Sequence, residues 1–130
     1  MSTDNLEVAR RAVDAFNRGE MDTLVECFDE AVVWVPLPNV PDLSEPAHGH
    51  RGMLEMLARW LEPWDHYESL TRELVGEGDV VIWTTHVQAS QDDSGMELDQ
   101  EIYAVLDFRR GKIVRARWFW ERADALEAAG

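Results

Sequence analysis

The chain has 130 residues, with 26 acidic residues against 12 basic ones and a formal net charge of −14. That field works against binding a phosphate backbone, so nucleic acid is excluded as an expected partner. A lone cysteine, Cys27, rules out an internal disulfide framework and fits a reducing compartment. No apolar run approaches the roughly 20 residues of a membrane span, and residues 1–5 lack the basic and apolar regions of an export signal. The sequence therefore reads as a soluble, cytoplasmic protein with no membrane partner, and, lacking a composition break, as a single domain over residues 1–130.

Asp4 with Glu7 three positions on makes a capping box, and Leu6, Ala9, Val13 and Phe16 then recur at helical spacing until Gly19. Met21, Leu24, Val25 and Phe28 form a second, shorter helical stripe. Residues 31–35, apolar and mostly β-branched or aromatic, read as a buried strand ended by Pro36. Four prolines between positions 36 and 46 mark a long ordered loop of the kind used as a lid. Met53, Leu57, Trp60 and Leu61 trace a third helix closed by Pro63.

From Tyr67 the period falls to two, giving a strand to Val75, a turn at 76–79 and a strand over 80–89. After a polar turn at 91–95, two alternating runs flank Arg109-Arg110-Gly111-Lys112 as an antiparallel hairpin. Residues 123–129 can form a terminal helix. The expected architecture is α+β: three N-terminal helices on one face of a curved, mostly antiparallel sheet, forming a cone with an enclosed pocket.

Several strings in this order resemble the nuclear transport factor 2-like superfamily and its SnoaL-like group: 17–22, the strand before Pro36, the 49–52 junction, 78–81, 110–113 and 120–123. The scaffold carries isomerases, cyclases, epoxide hydrolases and non-catalytic binding modules. The resemblance places a ketosteroid isomerase base at Val35, its oxyanion-hole acid at Ala104 and its tyrosine at Ala12. It places the polyketide cyclase aspartate at Trp118 and the cyclase histidine again at Ala104. The arginine and second aspartate of limonene epoxide hydrolases fall near Thr84 and His86. Of these positions only His86 keeps a group that exchanges protons near neutral pH.

His86 shares its parity with Ile82, Thr84 and Gln88, a polar stripe expected to line the pocket with His86 as catalytic acid or base. Thr84 and Gln100 are expected to polarise a carbonyl there. Trp118 and Trp120 are expected to point into the cone beside Ile102 and Ala104, with Trp34 and Trp60 near its mouth. Together these make an aromatic site for a flat hydrophobic small molecule. Asp99, Glu101 and Tyr103, on the opposite parity, are expected on the outer face, where the resemblance implies homodimerisation, and Arg115 and Arg117 are expected to pair with Asp99, Glu101 or Asp107. His48 and His50 suit a pocket rim or a helix cap better than a metal; no metal and no cofactor is expected. Two functions compete: a cofactor-free isomerase, cyclase or hydratase using His86, and a carrier, sensor or resistance module that binds without turnover.

Overall fold

The computed structural model describes residues 2–130, and the side chains of all of these except Ser2, Thr3, Asp4 and Glu77. The capping box expected at Asp4 therefore lies outside the described side chains. The elements run α1 (Ser2–Arg18), α2 (Met21–Glu26), β1 (Phe28–Val35), β2 (Ala47–His48), α3 (Gly49–Leu61), β3 (His66–Glu77), β4 (Val80–Ser90), β5 (Glu97–Arg109), β6 (Lys112–Phe119) and α4 (Arg122–Ala129).

The strands form one curved sheet in the order β2-β1-β6-β5-β4-β3. All neighbours are antiparallel except β1 and β6, which run parallel with Trp34 opposite Ala116. The β5–β6 turn forms where expected because Arg110 and Gly111 both take positive φ, at 53° and 77°, the backbone twist that suits a two-residue hairpin. Two features lie beyond the sequence reading. β1 begins three residues earlier than the expected strand, and the loop after Pro36 ends in the two-residue β2, which pairs with Val33 and Trp34.

α1 packs over β3 and β4 and α3 over β1, so both cover the concave face. Ala9, Val13, Met53, Leu57, Val81, Ala104 and Ile113 meet there as the main buried cluster. α4 docks on the other side of the sheet: Arg117, on the convex parity of β6, donates from Nη2 to the Ala128 carbonyl at 3.2 Å, and Arg122 pairs with Glu73 at 3.7 Å. Under this helix Val105 and Thr84 are buried although they face outward. Among the described residues, no helix is long and apolar enough to cross a membrane.

Candidate functional site

Pairing register decides which side chains meet on the concave face. Trp83 sits opposite Ala104, which sits opposite Trp118; Leu106 lies between Val81 and Ala116; and Ala116 lies opposite Trp34. Alternation therefore points Trp34, Trp83, Ile102, Ala104, Leu106 and Trp118 inward together. Three indoles stack as a continuous wall: Trp34 and Trp118 have ring centroids 5.5 Å apart, and Trp118 and Trp83 meet edge-on at 5.4 Å. Phe28 extends the wall at 6.0 Å from Trp34.

Between this wall and the helices lies a cavity of about 80 Å³, lined by Ala9, Ala12, Val13 and Phe16 of α1, by Met56, Leu57 and Trp60 of α3, and by Tyr67. The proline-rich loop closes one side with Pro36, Leu37, Val40 and Leu43. Trp120 holds that loop by donating its Nε1–H to the Pro38 carbonyl at 2.7 Å. The volume is about half the ~150 Å³ that admits a benzene-sized molecule and well below the ~300–1,000 Å³ of a drug-sized site. Side chains of the wall and loop thus fill most of the hollow. A ring compound fits only if the loop residues give way.

Polar contacts in the wall are few. Trp60 Nε1 donates to Tyr67 Oη at 2.9 Å, and burial pushes the Tyr67 phenol above its ordinary pKa, an effect that donation from Trp60 partly offsets. Trp83 Nε1 donates to Thr71 Oγ1 at 3.0 Å. Trp118 Nε1 is shut off from solvent with no partner.

The expected site divides in two. Trp34, Trp60, Ile102 and Trp118 line the cavity, with Trp34 deep in the core rather than at its mouth. Ala104 is fully buried behind them, and Trp120 lies to the side, over a second cluster of Leu37, Val87, Ala89 and Ile102. Gln100 shares the inward parity but turns its amide to the Glu101 carbonyl at 3.0 Å.

Thr84 and His86 are on the opposite face from the cavity, because Trp83, Thr85 and Val87 take the inward parity of β4. The polar stripe faces outward, and Thr85, fully buried inside, makes a 2.5 Å hydrogen bond with Ser69. His86 bonds Asp99 through Nε2, and its Nδ1 stands 3.8 Å from Glu101, which also lies 3.8 Å from Arg72. Asp99, Glu101 and Tyr103 are thus on the outer face as expected.

Arg115 and Arg117 both converge on Asp107, at 2.9 and 3.2 Å. His50 Nε2 meets the Phe28 carbonyl at 2.7 Å, tying α3 to β1, while His48 caps α3 through backbone geometry with no side-chain bond. Among the described residues no group of three or more histidine, cysteine or acidic side chains is placed to hold a metal.

Tyr67 and Trp83 are among the lining residues that sequence reasoning missed. Tyr67 could have been found from its spacing, seven residues after Trp60 at the start of the strand that follows the helix. The positions where the resemblance expected ionisable groups are apolar inside the cavity: Ala12 and Trp118 line it. Val35 takes the outward parity, paired with Arg117.

A curved, open sheet wrapped by helices around an apolar hollow is the arrangement of the NTF2-like proteins. The chain belongs to the SnoaL-like domain family, which matches residues 9–116. No curated protein matches it.

Solved structures do. The protein Bal32a from a soil-derived mobile gene cassette superposes with a TM-score of 0.83 at 24% identity, over 98% of this chain and 96% of that one. An NTF2-like protein of Burkholderia thailandensis gives 0.82 at 18% identity, covering 99% and 97%. TerC, crystallised with polyporic acid, gives 0.79 at 20% identity, covering 95% and 96%. At these identities the likeness is one of fold.

Proposed function

We propose that this protein binds a small, flat, hydrophobic molecule in the cavity between its tryptophan wall and α1, α3 and the proline loop, as a carrier, sensor or resistance module. The observation that carries this reading is the lining itself. Among the described residues it holds aromatic and aliphatic side chains and no Asp, Glu, His, Lys or Arg. Such a site gains free energy from every ring it desolvates, and offers no side chain of suitable pKa to move a proton. The structural likeness to a protein crystallised with polyporic acid supports a ring compound as ligand.

Calorimetric titration with indane, followed in parallel by tryptophan fluorescence, tests the reading. Saturable binding that perturbs Trp34, Trp83 and Trp118 is expected, and it should survive His86→Gln. Absence of any binding up to the solubility of indane would overturn it.

The carboxylate–imidazole pair of Asp99 and His86 favours a second reading, an isomerase, cyclase or hydratase with His86 as acid or base. Its substrate would have to reach the convex face. That face also carries exposed Leu70, opposite His86, and exposed Val75 further along β3, a composition that supports homodimerisation there. Turnover of any substrate lost in His86→Gln, with indane binding intact, would establish the second reading over the first.

A further inference from the structure

The sides of the cavity are not held equally. The tryptophan wall is carried by paired strands, and α1 is pinned by Asn5, whose Nδ2 donates to the Gly78 carbonyl at 3.1 Å. α3 is fixed to β1 by the 2.7 Å contact between His50 Nε2 and the Phe28 carbonyl. Residues 36–46 are attached differently. Their four prolines carry no N–H, and among the described residues one hydrogen bond joins this segment to the rest of the fold, from Trp120 Nε1 to the Pro38 carbonyl.

Within the segment, Asn39 and Asp42 take left-handed backbone conformations, with φ of 63° and 65°, which asparagine and aspartate tolerate better than most side chains. The Leu43 N–H closes the turn on the Val40 carbonyl at 3.2 Å. The turn puts Leu37, Val40 and Leu43 into the cavity lining and leaves Pro38, Asn39, Pro41 and Asp42 exposed on its outer side. With the three apolar side chains seated, the hollow measures about 80 Å³, too little for even a benzene-sized ring at ~150 Å³. A bound ring and the seated turn therefore exclude one another.

We infer that the proline loop is an internal plug, an autoinhibitory contact in which Leu37, Val40 and Leu43 occupy the binding space, and that the Trp120–Pro38 hydrogen bond is the latch that sets how often the space is free. The inference rests on the binding reading above and adds a control on that site. A ligand binds only the fraction of molecules whose turn has swung out, so its apparent affinity is the intrinsic one reduced by that fraction. Weakening the latch or shortening the plug then strengthens binding. That sign is opposite to the one expected if Trp120 or Val40 were a ligand contact, because truncating a contact weakens binding. It also differs from a purely structural role, in which a loosened fold binds no more tightly.

Calorimetric titration of indane into the intact protein, Trp120→Phe and Val40→Ala, with urea unfolding of each free protein, is the test. Trp120→Phe should lower the dissociation constant of indane about fivefold, the equivalent of the hydrogen bond removed, while also lowering the urea midpoint of the free protein. Val40→Ala leaves the latch in place and shortens the plug, and it should likewise bind indane several-fold more tightly than the intact protein.

Unchanged or weaker indane binding in Val40→Ala, or in a Trp120→Phe protein that keeps the native circular dichroism, overturns the plug while leaving the cavity reading intact. If indane binds none of the three proteins, the cavity reading and this inference fall together.

Discussion

Substituting Ala12 by leucine tests the cavity by the sign of a stability change. Ala12 is buried on the face of α1 that lines the hollow. The substitution adds three carbons to a space of about 80 Å³. At ~0.8 kcal/mol per buried methylene those carbons contribute ~2.4 kcal/mol, from which ordering the leucine removes ~0.5–1 kcal/mol. Helix propensity changes little, since alanine and leucine both favour helix.

The net is a gain of ~1.5 kcal/mol, a rise in the urea midpoint of about 1 M at an m-value near 1.5 kcal/mol/M. Filled by its own leucine, the cavity should also lose its affinity for indane. An interior already solid would respond in the opposite direction, because overpacking costs ~1–3 kcal/mol. Urea unfolding at constant m, with indane titration of the same variant, separates the two. A lowered midpoint together with undiminished indane binding would refute the cavity and the reasoning built on it.

Trp120→Phe removes the bond to the Pro38 carbonyl, leaving packing to hold the loop. Stability should fall by about 1 kcal/mol while amide exchange in residues 36–46 and the indane association rate both rise, as hydrogen exchange and stopped-flow fluorescence would report. Burial raises the pKa values of Cys27 and Tyr67 above their ordinary 9.0 and 10.0, and both groups are protonated in the fold. Stability should therefore hold level below about pH 9 and decline above it, as the unfolded chain releases these protons first. Urea midpoints from pH 8 to 11 should flatten in a Cys27→Ala, Tyr67→Phe double variant. Leu70→Glu places a charge on the exposed convex strand face beside His86, so sedimentation should show loss of the proposed dimer with the melting temperature of the subunit little changed.

The final hairpin is legible in the sequence because its alternation is clean and its turn carries Gly111, which tolerates positive φ. β4 is not. Its first four residues, Val80-Val81-Ile82-Trp83, are all apolar and carry no parity signal, so the polar Thr84, His86 and Gln88 read as a pocket stripe. α4 explains the failure: by burying Thr84 and Val105 on the convex side, it makes the strand apolar on both faces where periodicity should have spoken.

In β3 a bulge between Thr71 and Glu73 moves the inward set from Tyr67, Ser69 and Thr71 to Leu74 and Gly76, so Leu70, which looks like core in the sequence, is exposed. A single inserted residue reverses the facing of everything after it. β2, two residues long, is shorter than any period that could announce it.

That reversal leaves the two sheet faces chemically opposite. Described ionisable side chains gather on the convex side, where Asp99, Glu101 and Asp107 are matched by His86, Arg72, Arg115 and Arg117. The concave side keeps Tyr67, whose phenol oxygen accepts from Trp60, and the enclosed indole of Trp118 in an apolar wall. Proton removal needs a base, and the described lining supplies none. The described lining therefore offers no side chain to deprotonate a bound compound. Any turnover there would depend on a base that the substrate or solvent brings in, and its rate should rise with the basicity of added buffer at fixed pH while leaving ligand affinity unchanged.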